Sequence, residues 1–325
     1  MPISTERRGR GTIPMAPQSP RLMHWILLGV LAVLWGSAFA GTEVALRSFS
    51  PVTIVAGRVL VGALLLICYV RLSARKMPAG ARQWRWIVAM AIVGNVVPFY
   101  LIAWGQQRVD SNIAGILMAV MPLMVVALAH RFVPGERVDA RRVSGMLVGL
   151  AGVVMLLGVD GALPWGGNGS LAGRLAILAG AMFYAVNVIM ARLAPPMDSS
   201  ATAAGVTLVA AILIVPVALF TASPAGNVES ASILAVILLG ALATGLATVI
   251  YFEIVRQAGP AFLSLINYLV PAWAVVAGGV LLGESLQATS LVALAIIFAG
   301  VLVSQRSECK LRTSAKPQVA AAGTN

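Results

Sequence analysis

The chain has 325 residues, of which 59% are hydrophobic and only 10% are charged, and it carries a formal net charge of +12. Soluble domains carry about 25% charged residues, so this composition excludes an ordinary soluble protein and indicates an integral membrane protein. The positive charge is typical of the cytoplasmic loops of membrane proteins, so it gives no reason to expect a nucleic-acid partner.

Ten apolar stretches follow one another along the chain, each close to the length that crosses the hydrocarbon core of a bilayer as a helix. Open strands leave backbone polar groups unsatisfied in lipid, so we predict all ten to be α-helices. The predicted spans are 22–43, 51–71, 85–105, 111–131, 142–159, 171–192, 200–221, 231–255, 261–282 and 286–305. The polar segments 1–21 and 306–325 are predicted to be disordered cytoplasmic tails.

The distribution of basic residues predicts the orientation of these helices. With both termini in the cytoplasm, every Lys and Arg falls on the cytoplasmic side except Arg47, Arg58, Arg108 and Arg174. Such a bias follows the positive-inside rule, and an even number of spans agrees with it. The excess of arginine over lysine is typical of bacterial genomes rich in G and C. We therefore predict a multi-pass protein of the bacterial inner membrane, with both termini cytoplasmic.

A proline followed by a Gly-Glu pair occurs twice in the sequence. Pro122 precedes the pair at 135–136, and Pro271 precedes the pair at 283–284. A helix rich in small residues follows each pair. This recurrence predicts two versions of one five-helix unit. Because each unit has an odd number of spans, the second must enter the membrane with opposite polarity, and inverted repeats of this kind are typical of transporters.

Two further stretches, VLWGSAFAGTEVAL and SPVTIVAGRVLVGALLL, complete a resemblance to a known family. Together with the proline and Gly-Glu pattern, they resemble the EamA-type transporters of the drug/metabolite transporter superfamily. The resemblance implies a first EamA-type repeat over 22–160, a second over 170–305, a central cavity between them, and export of small metabolites, often amino acids. One departure is that Val206 stands where Arg58 stands in the first half.

The two repeated prolines are candidates for a substrate site. A proline inside a helix leaves the carbonyl four residues before it without its backbone donor, and in lipid that carbonyl needs another partner. Pro122 frees the carbonyl of Met118, and Pro271 frees that of Asn267. The repeat predicts that the two carbonyls face each other near the middle of the bilayer. The alternative is a pair of packing kinks that line nothing.

Polar side chains within apolar helices usually face the interior of the bundle, so they are the next candidates for substrate binding. Arg58 is the strongest of the charged ones, because a guanidinium can bind a carboxylate through two parallel hydrogen bonds. Its alternatives are snorkelling to the interface or pairing with Glu43. The other candidates, for which helix packing is the alternative, are Trp35, Asn95, Tyr100, Trp104, Asn187, Tyr268 and Trp273.

What the sequence lacks also guides the expected mechanism. No predicted span carries a carboxylate at its centre, since Glu43 and Glu253 lie near the ends. Direct proton coupling at the midplane would need such a group, so facilitated transport or exchange is favoured. The sequence contains no metal-ligand cluster, nucleophile elbow or phosphate loop, so we expect no cofactor and no enzymatic activity.

We therefore predict an all-α membrane protein of ten transmembrane helices in two inverted repeats, acting as a secondary transporter by alternating access. The substrate is predicted to be a small polar metabolite, and the resemblance implies an amino acid or related compound. The alternatives are a multidrug or quaternary-ammonium exporter and a non-transporting membrane scaffold. The expected partners are the substrate and the lipid bilayer. Small-residue spacings at 145–149 and 295–299 predict close packing of the fifth and tenth helices and leave monomer and homodimer both open.

Overall fold

The computed structural model of the protein describes residues 21–133, 140–158, 171–221 and 228–314. Within these ranges the chain is almost entirely helical and contains no strand. Taken as continuous rods, the described helices number ten. They are α1 (Leu22–Leu46), α2 (Pro51–Leu72), α3 (Ala81–Gln106), α4 (Ser111–Phe132), α5 (Ala140–Gly158), α6 (Leu171–Leu193), α7 (Ser199–Thr221), α8 (Ser230–Pro260), α9 (Ile266–Leu282) and α10 (Ala288–Ser314).

Seven of the described helices, α1 to α4 and α6 to α8, are long and apolar enough to cross a membrane. The helix α9 and the part of α10 that spans Ala288–Ser304 are shorter apolar helices. An all-helical membrane fold is thereby confirmed. Whether α5, α9 and α10 cross the bilayer as well belongs to the proposal below.

The largest departures from the predicted bounds lie in the second half of the chain. Gly259 takes a φ of 84°, which glycine adopts far more readily than other residues, and Pro260 follows it. The chain therefore leaves the axis of α8 here, and α9 begins at Ile266. The last helix continues to Ser314, beyond the predicted start of the carboxy-terminal tail at 306. The remaining tail residues, 1–20 and 315–325, lie outside the described residues.

Local sequence explains where several helices begin and end. The side chain of Ser50 accepts a hydrogen bond from the backbone N–H of Thr53, which caps the start of α2. Pro51 occupies the first turn, where its ring already fixes φ near the helical value. Gly283 ends α9 with a left-handed φ of 68°. The next residue, Glu284, donates its N–H to the carbonyl of Gly278 at 3.2 Å, which satisfies one of the carbonyls at the end of α9.

The packing partners of the helices are matched between the two halves of the chain. The helix α1 packs against α9 and α8, and correspondingly α6 packs against α4 and α3. The helix α2 packs against α8, as α7 does against α3. Three contacts join equivalent helices directly, namely α2 with α7, α4 with α9 and α5 with α10. Exchanging the first five helices for the last five therefore reproduces these principal contacts.

The contact between α5 and α10 is made by small residues. A Cβ on Gly300 would lie 2.5 Å from the backbone nitrogen of Gly149 and 2.6 Å from the carbonyl oxygen of Gly145. Only glycine allows the two backbones to approach so closely. The spacing at 145–149 thus joins the fifth and tenth helices, as predicted. The prediction for 295–299 is wrong, because Ala295 and Ala299 are exposed on the opposite face of α10.

Candidate functional site

Glycine residues bring α2 and α8 together around Arg58. A Cβ on Gly240 would lie 2.8 Å from the carbonyl oxygen of Arg58, and a Cβ on Gly62 would lie 2.7 Å from the Cγ2 atom of Thr244. Because neither glycine carries a side chain, the backbones of α2 and α8 pack directly against each other. This close approach places the side chain of Thr244, which is 6% exposed, within reach of Arg58.

The guanidinium of Arg58 lies between three helices. Its Nε donates a hydrogen bond to Thr244 Oγ1 on α8 at 2.9 Å. Its Cζ lies 3.9 Å from the ring centroid of Phe99 on α3, a cation–π distance. The Phe99 ring meets Tyr184 of α6 edge to face, with centroids 6.2 Å apart. Arg58 is thus held at Nε by a hydroxyl and over one face by an aromatic ring, in the interior of the bundle.

The pairing of Arg58 with Glu43, considered as an alternative from the sequence, does not occur. No carboxylate of the described residues forms an ion pair with Arg58, and the hydrogen bond of Nε leaves Nη1 and Nη2 without a partner among those residues. The side chain is only partly buried. The four N–H donors of the two terminal nitrogens therefore remain available to an acceptor that enters the bundle.

Trp35 contacts the same stretch of α8 as Arg58. Its indole Nε1 donates to the carbonyl oxygen of Ala243 at 3.1 Å, one residue before Thr244. Its ring lies 5.8 Å from that of Tyr251, centroid to centroid. Two predicted site residues, on α1 and α2, thus converge on one segment of α8.

That segment is a π-helix, and the first half of the chain contains its counterpart. Residues Leu239–Leu246 of α8 and Ile92–Val96 of α3 are π-helical. Both interrupt the third helix of their half, at nearly the offset that separates Pro122 from Pro271. Such segments are rare in α-helices, and those that are found lie frequently at functional sites. The sequence analysis did not predict them.

Asn187 of α6 packs against the π-helical segment of α3. A Cβ on Gly94 would lie 2.6 Å from Asn187 Cγ, so glycine is needed there. The oxygen Oδ1 of Asn187 is shielded from solvent and has no hydrogen-bond partner among the described residues. Leaving a buried acceptor unsatisfied costs about 1–3 kcal/mol of folding free energy, so a ligand that donates a hydrogen bond to this atom would be favoured. Asn95, the residue after Gly94, is partly exposed within the same π-helical segment.

The two repeated prolines lie in helices that contact each other, since a Cβ on Gly115 of α4 would overlap Ala274 of α9. Ahead of Pro122, α4 is interrupted at 119–120. Ahead of Pro271, the turn lies at 264–265, where Asn267 N donates to the carbonyl of Ser264 at 3.2 Å. The regular α-helix is therefore interrupted before both prolines. The interruption ends two residues before Pro122 and six residues before Pro271.

Several predicted site residues make contacts that do not involve Arg58. The Trp104 ring, near the end of α3, lies under the Arg108 guanidinium, whose Cζ is 3.9 Å from the ring centroid. The ring of Tyr268 meets Phe298 of α10 at 5.4 Å, and the same cluster contains Met118. Trp273 is 37% exposed and donates Nε1 to Ser37 Oγ at 2.8 Å. Tyr100 is 36% exposed. The structure thus brings Trp35 and Arg58 to one segment of α8, whereas these four aromatic residues make their contacts with other groups.

The Gly-Glu pair at 283–284 has a structural role at the end of the bundle where α1 ends and α4 begins. Glu284 Oε1 accepts from the backbone N–H of Ser111 at 2.8 Å, and Oε2 accepts from that of Asn112 at 2.9 Å. A carboxylate at a helix N-terminus satisfies orphan donors and complements the helix dipole. The end of α9 thereby caps the start of α4. The equivalent pair at 135–136 lies outside the described residues.

The opposite end of the bundle is joined by other polar contacts. The ring nitrogen Nε2 of His24 lies 2.9 Å from Gln257 Oε1, which joins α1 to α8. Arg75 Nη1 lies 2.7 Å from Asp198 Oδ2, which joins the end of α2 to the start of α7. Burial alone would raise the pKa of Asp198, but the backbone N–H of Ala201 and the Arg75 guanidinium together hold this pKa below its usual value.

Comparison with known proteins shows similarity over most of the chain. The model of the EamA-like transporter family matches residues 23–158 and 171–305. An uncharacterized inner membrane transporter of Escherichia coli K12, YedA, is 30% identical over 310 residues, covering 90% of this chain and 93% of that one. A probable terminal-alkyne amino-acid exporter of Streptantibioticus cattleyicolor is 26% identical over 300 residues, covering 90% and 97%. A solved crystal structure of a protein at 22% identity matches with a TM-score of 0.64, covering 90% and 99%, which supports the fold alone.

Proposed function

This chain belongs to the EamA-like transporter family, and from that premise we propose that it is a secondary transporter exporting a small polar metabolite, an amino acid or related compound. Transport proceeds by alternating access through a central cavity between two inverted five-helix repeats. All ten helices cross the inner membrane, with both termini in the cytoplasm. The bias of basic residues supports this orientation, and the E. coli relative is described as an inner membrane transporter.

The proposal of inverted repeats is supported by three features of the chain. The family model matches two consecutive stretches of similar length. The principal helix contacts are preserved when the two halves are exchanged. The π-helical segments occupy the third helix of each half. A pseudo-two-fold relation between halves with five helices each is the arrangement expected for an inverted repeat.

The observation that carries the substrate proposal is the unoccupied fork of Arg58. With Nε bound to Thr244, the two terminal nitrogens have no hydrogen-bond partner among the described residues, and a carboxylate binds such a pair through two parallel hydrogen bonds. Asn187 Oδ1 supplies an acceptor without a partner among the described residues. Asn187 lies three residues after Tyr184 on α6, and residues with this spacing share a helix face. A donor fork for a carboxylate and an acceptor for an ammonium group together suit an amino acid.

A cationic drug is a poorer match for this site. A quaternary-ammonium exporter would place a carboxylate among the aromatic rings, whereas the charged group over Phe99, which meets Tyr184, is a guanidinium. The relative from S. cattleyicolor is named as an amino-acid exporter, which agrees with a carboxylate substrate. The glycine contact of α5 with α10 is used within the chain, so it supports a monomer.

The experiment that tests this function is uptake by liposomes that contain the purified protein. Labelled amino acids are compared with the amines formed from them by decarboxylation, and with quaternary-ammonium compounds. We expect saturable uptake of one or more amino acids and little uptake of the matched amines. Uptake of quaternary-ammonium compounds in preference to amino acids would support the multidrug alternative, and no uptake of any class would favour a non-transporting scaffold.

A further inference from the structure

A cavity of about 280 Å³ opens between the start of α3 and the end of α6. It lies at the end of the bundle where the salt bridge between α2 and α7 is found. Its walls are formed by Arg82, Arg85, Trp86 and Ala89 of α3 and by Met190 of α6. The four residues of α3 are three or four positions apart, so they follow one face of the helix. Ile87 and Met90, by contrast, are buried in a cluster with residues of α7.

The two arginines of this cavity have no partner within the protein. Arg82 and Arg85 are exposed, and neither forms a hydrogen bond or an ion pair with the described residues. The acidic groups whose side chains are described at this end, Asp198 and Glu253, are each bound to another arginine. The first turn of α3 contains no acidic residue, and the helix dipole disfavours positive charge there. An anion at the rim of the cavity would therefore be stabilised by both guanidinium groups.

The remainder of the cavity is apolar except for one N–H group. Trp86, Ala89 and Met190 provide this apolar lining. The indole Nε1 of Trp86 has no hydrogen-bond partner among the described residues, whereas that of Trp84 donates to the carbonyl of Pro78 at 2.8 Å. Tryptophan is enriched at the level of the lipid headgroups, where its ring is in apolar surroundings and its N–H can reach a polar acceptor. The cavity thus combines cationic donors with a hydrocarbon wall.

The same side of α3 continues towards the middle of the helix as an exposed apolar surface. Val88 is 39% exposed and Ile92 is 40% exposed. Val88 follows Arg85 by three positions, and Ile92 follows Ala89 by three positions, so each pair is adjacent on the helix surface. A ligand whose anionic group lies at the arginines can therefore extend an apolar tail along α3 into the bilayer.

We propose that this cavity binds an anionic phospholipid, with its phosphate ester at Arg82 and Arg85 and the start of an acyl chain over Ala89 and Met190. A guanidinium binds phosphate oxygens through parallel hydrogen bonds, and basic pockets between transmembrane helices suit lipid headgroups. Sites that enclose a drug-sized ligand measure roughly 300–1,000 Å³, whereas a lipid needs enclosure only near its headgroup because its chains stay in the bilayer. A free phosphate ion would use the arginines and leave the apolar wall uncovered.

This lipid site goes beyond the proposed transport function, because it requires only that the chain lies in a membrane. The orientation with both termini in the cytoplasm places the start of α3 in the cytoplasmic leaflet. The site itself would remain if the protein carried no amino acid or had the opposite orientation. Failure of the proposed function and failure of the lipid site are therefore separate results.

Quenching of tryptophan fluorescence by lipids with brominated acyl chains tests the site in the full-length protein. The protein is placed in phosphatidylcholine liposomes that contain increasing amounts of brominated phosphatidylglycerol, and brominated phosphatidylcholine serves as the comparison. We expect a saturable component of quenching that only phosphatidylglycerol produces and that is largely lost in Trp86→Phe, which removes the reporter. Arg82→Gln and Arg85→Gln should each weaken binding by about tenfold, the effect of losing a hydrogen bond to a charged group.

Two further variants separate a specific site from general attraction between charges. Arg71→Gln removes an exposed arginine at the end of α2, outside the cavity, and should change the affinity by less than about twofold. Ala89→Leu keeps both arginines but fills the space of the acyl chain, so it should weaken binding. Thermal unfolding shows whether each variant is folded.

Four results would overturn the proposal. The first is equal quenching by the two brominated lipids, and the second is undiminished quenching in Trp86→Phe. The third is a loss of affinity in Arg71→Gln as large as that in Arg85→Gln, which would indicate attraction to the surface as a whole. The fourth is displacement of the lipid by inorganic phosphate together with normal binding in Ala89→Leu, which would indicate a site for a free anion.

Discussion

Arg58 Nε and Thr244 Oγ1 lie 2.9 Å apart and join the second helix of the first half to the third helix of the second half. This bond crosses between the two halves of the chain and fixes the direction of the guanidinium. It leaves the terminal nitrogens available, so the same contact that packs the bundle also orients the proposed carboxylate site.

The first prediction concerns this fork. Arg58→Lys keeps the charge but removes the bidentate geometry, so uptake of amino acids should fall by about tenfold or more, since hydrogen bonds to charged groups contribute about 1.5–3 kcal/mol. The matched control is Arg108→Lys, which removes a guanidinium stacked on Trp104 at the end of α3. Liposome uptake normalised to folded protein measures both. Equal loss in the two variants would assign Arg58 a general structural role.

The second prediction uses two glycines. A methyl group on Gly94 would displace Asn187 from the site, so Gly94→Ala should lower uptake by about tenfold and should lower the free energy of unfolding by about 1–3 kcal/mol, the usual cost of overpacking. Gly29, in α1, has open space around it, and Gly29→Ala should leave uptake unchanged and raise stability by about 0.5–1 kcal/mol. Thermal unfolding and uptake are measured on both. Normal uptake in Gly94→Ala would remove Asn187 from the site.

The third prediction concerns the repeated prolines. Pro122→Ala and Pro271→Ala restore a backbone donor and should straighten α4 and α9, so both variants should fold and transport about tenfold more slowly. Pro216→Ala, in the interior of α7, serves as the control and should have little effect. Near-normal uptake in both Pro122→Ala and Pro271→Ala would reduce these prolines to packing kinks.

The fourth prediction concerns pH and stability. The pKa of Asp198 is lower in the folded protein than its usual value, so its pair with Arg75 stabilises the fold at neutral pH and this contribution is lost as the pH falls through the lowered pKa. Both side chains are about a third exposed, which limits the contribution to below about 1 kcal/mol. The melting temperature of Asp198→Asn should therefore lie slightly below that of the native protein at neutral pH. The two should converge in acid, and a gap that widens in acid would contradict the prediction.

The fifth prediction concerns orientation. If the basic residues set the topology, single cysteines in the segment 75–82 should react with membrane-impermeant reagents only from the cytoplasmic side. Cysteines in 160–169 should react only from the periplasmic side. The background for these variants lacks Cys68 and Cys309. The reverse labelling pattern would contradict the ten-helix arrangement with both termini in the cytoplasm.

The sequence predicts the helices well because their length and apolarity follow from the bilayer itself. It also singles out Arg58, since a charge inside an apolar span is conspicuous. It does not predict Thr244, whose hydroxyl matters only because Gly62 and Gly240 let α8 reach Arg58 across more than half of the chain. The cap that Glu284 forms on Ser111 is missed for the same reason. A sequence pattern marks the pair at 283–284, but the partner is set by tertiary packing.

The π-helical segment of α8 has a consequence for how this helix can vary. It is equivalent to one additional residue in an α-helix, and each residue turns the helix by about 100°. The surfaces before Leu239 and after Leu246 are therefore out of phase with each other, so a face that meets a neighbouring helix on one side of the segment points elsewhere on the other. Deleting a single residue at 239–246 would bring the two parts into one continuous register. Such a deletion would rotate Tyr251 away from Trp35 without changing the composition of either part.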